Sequence, residues 1–137
     1  MKLTSFCPVT PRVPLPLAGW LLALMFFCGC SSGVSAPVNV DVAKQTLKTT
    51  METWQHGDAV DSLQKATPAI VVQDLDWTGG AKLIEFEILS DPEPQGANLI
   101  AKVKLKLSAA SGEQEEKTVS YVVGTSPVLT VFRDLFR

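Results

Sequence analysis

Beyond residue 30 this 137-residue chain has no cysteine, the only three being Cys7, Cys28 and Cys30. Disulfide bridging, thiolate-held structural zinc and thiol catalysis are therefore excluded from the long C-terminal part, whose stability has to come from an apolar core. Histidine is as scarce: His56 is the only one, so no histidine cluster is available to a metal and one imidazole at most to general-base work. No phosphate-cradling glycine loop, nucleotide-binding glycine fingerprint or Ser-His-Asp set is present, and no cofactor or metal is expected. Basic residues are no majority either. Lys and Arg number 12 against 14 Asp and Glu, for a net charge of −2. Since Lys2 and Arg12 precede residue 30 and every acidic residue follows it, the remainder is more acidic than the whole. That balance argues against nucleic acid or an anionic lipid surface as a partner. A bilayer-spanning run is missing as well: the apolar stretch Leu15 to Phe27 has the length of a secretory h-region, not the ~20 residues a span requires.

The most telling local pattern lies at the end of that stretch. Phe27-Cys28-Gly29-Cys30-Ser31-Ser32-Gly33 comes after Lys2, Arg12 and the apolar run, and it resembles a bacterial lipobox. The resemblance implies cleavage between Gly29 and Cys30 and a diacylglyceryl group on Cys30, which then begins the mature chain. Phe27 and Cys28 stand where such motifs usually carry Leu, Val or Ile and a small residue. The competing expectations are an uncleaved anchor or an ordinary secretory signal cut near Ala36. Two acyl chains hold a protein stably at a membrane where one gives marginal binding, so the implied partner is the membrane, reached through Cys30. Ser31 is not the Asp associated with inner-membrane retention. In a two-membrane envelope, the periplasmic side of the outer membrane is therefore the expected location.

The chain divides accordingly into a signal segment, 1–29, a lipidated cysteine with a small-residue tether, 30–38, and one domain, 39–137. In the domain, Val40, Ala43, Leu47, Met51 and Trp54 recur three or four apart, which predicts a helix that Asn39 caps and Gly57 ends. Asp58, with Asp61 three residues on, predicts a shorter second helix that closes at Thr67-Pro68. Everything later reads as strand: 69–75, 82–89, 98–107, 117–123 and 128–132, separated by Gly- and Pro-containing turns. Ile84, Phe86 and Ile88 alternate with Glu85 and Glu87, and Leu99 to Leu107 alternate with Lys102, Lys104 and Lys106. One face of the sheet is thus apolar, and the other is a solvated lattice of opposite charges. The expected fold is α+β: two N-terminal helices packed on a curved antiparallel meander of about five strands.

This order, together with the junction Trp54-Gln55-His56-Gly57-Asp58, resembles the NTF2-like (cystatin-like, α+β cone) superfamily. Many members insert a third helix after the first strand, walling one side of a pocket. Here only Asp76-Trp77-Thr78-Gly79-Gly80 fills that place, which implies a reduced pocket. The resemblance also implies a homodimer through the sheet, for which the apolar strand Val128 to Phe132 offers an edge. The superfamily's enzymes use Asp, His or Tyr in the cone, but no such motif carries over residue by residue.

The pocket candidates are Asp74, Asp76, Trp77, Tyr121 and His56. Asp74 and Asp76 share a strand face beside a turn, the spacing of a cation site or of a raised-pKa acid, and equally that of a strand end with an Asx turn into Trp77. Tyr121 and Trp77 suit a small pocket or ordinary core packing with a polar tip. His56 is a potential base, or simply the last residue of a helix before its glycine. Arg133 and Asp134 read as a solvent-exposed pair. The function expected from these residues is a membrane-anchored, non-catalytic binding or scaffold module. The alternative is a small isomerase, dehydratase or lyase using Asp74 or Asp76.

Overall fold

The computed structural model describes residues 36–136. The signal segment, its cleavage point at Gly29 and Cys30, the lipidation site and most of the tether lie outside the described residues. Helix α1 spans Val40–His56. The Asn39 side chain accepts from the Val42 amide at 3.1 Å, satisfying one of the amides a helix start leaves unpaired. At the far end Gly57 takes φ 87°, which only glycine adopts without strain, and the Asp58 amide closes back on the Thr53 carbonyl at 3.3 Å. The buried stripe is Ala43, Thr46, Leu47, Thr50, Met51 and Trp54. Its two threonines fit among apolar neighbours because each hydroxyl donates to a carbonyl one turn back, Thr46 to Val42 and Thr50 to Thr46.

The second helix is shorter than its sequence pattern. Helix α2 is one turn, Asp61–Gln64, with no side-chain cap. Asp58 does not cap it: Val60 stands at the helix start, and the Asp58 amide closes α1. Strand β1, Ile70–Gln73, comes next, and then a third short helix, α3, Leu75–Thr78, stands where a turn was expected. The remaining strands are β2, Lys82–Ile88; β3, Glu93–Gln95; β4, Asn98–Ser108; β5, Gln114–Gly124; and β6, Leu129–Asp134. No helix among the described residues is long and apolar enough to cross a membrane.

The fold is α+β with a curled, mixed sheet, ordered β1-β6-β5-β4-β2 with β3 also on β4. The expectation of an antiparallel meander is corrected at one strand pair. β1 runs parallel to β6, Ile70 beside Leu129 and Val72 beside Val131, so the first strand is separated from the second by the whole width of the sheet. β6 is consequently an interior strand between β1 and β5. The free edge anticipated at Val128 to Phe132 does not exist: among the described residues β1 forms one edge of the sheet, and β2 and β3, both paired to β4, form the other.

One face carries the core, in which Leu47, Trp54, Leu99, Val103, Leu105, Tyr121, Val123 and Val131 are each at most 1 % exposed. The opposite face carries the charges. Lys104 lies opposite Glu87, Lys106 opposite both Glu85 and Glu116, and Lys104 reaches the Glu116 carboxylate at 3.0 Å. These pairs are exposed, and solvent screening makes each of them a minor contributor to stability. Ile84 departs from its predicted place. A bulge between Leu83 and Glu85 shifts the register, so Leu83 turns inward at 3 % exposure while Ile84 is 38 % exposed.

Candidate functional site

The core face of the sheet turns polar at one end, and the alternation of strand side chains explains why. Ile70 and Val72 of β1 point inward, so the next residue in phase is Asp74. Val123, Tyr121 and Val119 of β5 share that face, and Lys117 continues the series; on β6 Arg133 continues the inward series of Leu129 and Val131. Three adjacent strands thus deliver an acid, a phenol, an ammonium and a guanidinium to one place, and α3 adds Asp76.

Asp74 is 3 % exposed. Its Oδ1 accepts from the amides of Asp76 at 2.8 Å and Trp77 at 3.0 Å, which starts α3, and its Oδ2 accepts from the Tyr121 hydroxyl at 2.6 Å. Arg133 Nη1 stands 3.8 Å from Oδ1 and donates to Asp76 Oδ2. Lys117 Nζ reaches that same oxygen at 2.9 Å and Glu115 at 3.5 Å. Trp77 is buried, stacked on Trp54 with centroids 5.2 Å apart and planes within 6°, and its indole donates to the Asp58 carbonyl at 3.1 Å. The cluster borders a cleft of about 320 Å³ lined by Val72, Asp74, Leu75, Arg133 and Leu135 among others.

Titration behaviour is set by this packing. Burial, the strongest influence on Tyr121, pushes its hydroxyl far above the ordinary phenol range, and the charge and hydrogen bond of Asp74 push the same way. For Asp76, partial burial works upward, but hydrogen bonds from Lys117 and Arg133 outweigh it and hold the carboxyl below its usual value of 3.8. A depressed folded-state value stabilises the fold above the ordinary carboxylate range, and that contribution is lost as pH falls through the folded value. We therefore expect Asp76→Asn to lower stability at pH 7, with the gap to wild type narrowing as pH drops below 3.8; urea unfolding at pH 7 and pH 3 measures it. A gap that stays constant would mean that the ion pairs contribute nothing.

Of the five pocket candidates, four meet here: Asp74, Asp76, Trp77 and Tyr121. His56 takes no part and is exposed at the end of α1. The Asx-turn reading of Asp74 into Trp77 is the one the geometry bears out. Arg133 is a correction. Its side chain is only 14 % exposed and pairs with Asp76 rather than Asp134, because the two neighbours on one strand point to opposite faces. Lys117 is a second correction: by charge it reads as part of the solvated face, yet one further step of the alternation from Tyr121 and Val119 brings it to Asp76. Among the described residues no buried side-chain nitrogen or oxygen lacks a hydrogen-bond partner. The chain matches no family model, no curated protein and no solved structure. What the arrangement can do chemically therefore rests on the geometry alone: it ties β1, β5 and β6 to α3, with both oxygens of the buried carboxylate accepting from donors of the chain itself.

Proposed function

We propose that the chain is a lipid-anchored protein of the cell envelope whose NTF2-like domain serves as a non-catalytic binding or scaffold module. The occupied state of Asp74 carries the non-catalytic part. Both Asp74 oxygens are engaged within the chain, Oδ1 by the Asp76 and Trp77 amides and Oδ2 by the Tyr121 hydroxyl, which supports a structural role for this carboxylate over that of a general base or cation ligand. The anchoring part rests on Phe27-Cys28-Gly29-Cys30 behind a short apolar run. Outer-membrane placement, facing the periplasm, rests on Ser31.

Two measurements on the full chain test the two parts separately. Fatty-acid labelling should mark the wild type, and Cys30→Ala should abolish the label and release the protein from the membrane fraction or accumulate its precursor. A mutant that stays membrane-bound at mature size, beside an unlabelled wild type, removes the anchor reading. Complementation of a deletion strain with Asp74→Asn or Asp76→Asn should rescue, since the amide keeps the size and one acceptor oxygen while removing the charge that a general base or cation ligand needs. Failure of a stably expressed, correctly localised variant would establish a catalytic or cation-binding carboxylate instead.

A further inference from the structure

Charge is unevenly distributed along the length of the strands. Four segments without a charged residue, 31–40, 66–73, 94–101 and 118–132, converge on one pole of the domain. Strand register brings Ile70 beside Leu129 and Asn98 beside Gly124. The chain enters the domain at the same place: the Val38 amide donates to the Gly96 carbonyl at 3.0 Å and the Asn39 amide to the Thr125 hydroxyl at 3.2 Å. Charge approaches this pole through Asp41 in the first turn of α1, through Lys44 and Asp91, which pair at 3.5 Å, and through Glu93. The opposite pole, where β4 turns into β5 and β6 ends, is densely charged, with Asp58, Asp61, Asp76, Glu113, Glu115 and Arg133.

Apolar surface lies open at the uncharged pole. Val42 is 40 % and Val128 53 % exposed. Between α1, α2 and the starts of β1 and β6 runs a groove of about 510 Å³, lined by Val42, Leu63, Pro68, Ile70 and Leu129, with Asp41 as the charged member of its lining. Leu75 and Leu135 are exposed as well, but they stand next to Asp76 and Arg133 at the charged pole, away from the tether.

We propose that the uncharged pole lies against the lipid bilayer, with Val42, Val128 and the groove in contact with lipid. The inference rests on the anchor at Cys30 and extends it from a point of attachment to an orientation. The eight residues 31–38 span at most ~29 Å, whereas the 11 residues of β4 measure ~37 Å. The tether is therefore too short to turn the domain end over end, and the pole at Val38 stays the near one. Lipid is the occupant because the segment leading to the anchor leaves from this pole. Placing charged surface at the headgroup boundary costs desolvation, which an uncharged pole avoids. Two valines and a groove are too little apolar area to hold a free protein at a bilayer. Once the anchor is seated, however, the contact is intramolecular, and its high effective concentration lets weak contacts fix an orientation.

The test is fluorescence quenching on the full chain, expressed and processed in cells and reconstituted into phosphatidylcholine vesicles. A maleimide dye is placed on Val128→Cys, on Val42→Cys, or on Leu75→Cys at the opposite pole, all exposed positions. Processing removes Cys7 and Cys28 and acylation blocks Cys30, so wild type should float with the vesicles and take no dye. A wild type that takes dye, or does not float, overturns the anchor and this proposal together. Nitroxide-bearing lipid should quench the dyes at Val128 and Val42 about twofold or more beyond the dye at Leu75, and aqueous iodide should show the reverse order. Equal quenching at the two poles, or stronger lipid quenching at Leu75, in a chain that floats overturns the orientation and leaves the anchor standing. Dyes at Val128 and Val42 that are hidden from iodide yet beyond the reach of nitroxide lipid overturn it too, in favour of a protein partner on this pole.

Discussion

Replacing Trp54 by alanine is expected to cost about 3–5 kcal/mol, the range for deleting a large buried aromatic, against a total of about 5–15 kcal/mol for an ordinary domain. Trp54 is 1 % exposed, fills the space between α1 and the start of β2, stacks on Trp77 and donates to the Ala81 carbonyl. The substitution therefore opens a cavity, removes a stacked pair worth about 0.5–1.5 kcal/mol beyond its area, and uncovers a carbonyl at the flank of β2. Two residues on, exposed His56 should tolerate alanine within about 0.5 kcal/mol. Urea unfolding of the two variants measures the contrast, and small, equal effects would show that this face of α1 does not hold the core.

Asp74→Ala is expected to be the second most damaging change, at about 2–4 kcal/mol. It removes the cap of α3, worth about 0.5–2 kcal/mol, and leaves the Tyr121 hydroxyl buried without an acceptor, a further 1–3 kcal/mol or so. Asp74→Asn should recover part of the loss by retaining an oxygen for the Asp76 and Trp77 amides. The pair is separable by a double-mutant cycle: Tyr121→Phe in the Asp74→Ala background should cost less than in wild type, because the partner is already gone. Strict additivity would mean that the 2.6 Å contact carries no coupling.

Local signals in the sequence were legible where local chemistry decides the structure. Asn39 and Gly57 bound α1 because a cap and a left-handed glycine act within a turn, and the lysine alternation of residues 98–107 marks β4 because its face is set by its own period. Errors arise where a distant partner decides. Nothing near Ile70 announces that it will lie beside Leu129, and a bulge moves Ile84 outward without a trace in the alternation. The apolar run 69–75 overshoots β1 because Leu75 looks like strand, yet Asp74 has already turned the chain into α3. The candidate site was half legible: Asp74, Asp76, Trp77 and Tyr121 stand out by type, whereas Lys117 and Arg133 look like surface charges until the pleat aims them inward.

The interior position of β6 also sets the order of events in making the molecule. β1 emerges early, but its only strand neighbour among the described residues is formed by residues 129–134, so the early strand has nothing to pair with until residues 74–128 have been synthesised. Distant pairings of this kind slow folding, because a long loop must close before any contact rewards it. The domain completes itself late and all at once, with β6 as the keystone between an early strand and a late hairpin. A ribosome stalled before Leu129 would therefore hold a chain that protease still digests at β1, long after that strand has left the exit tunnel.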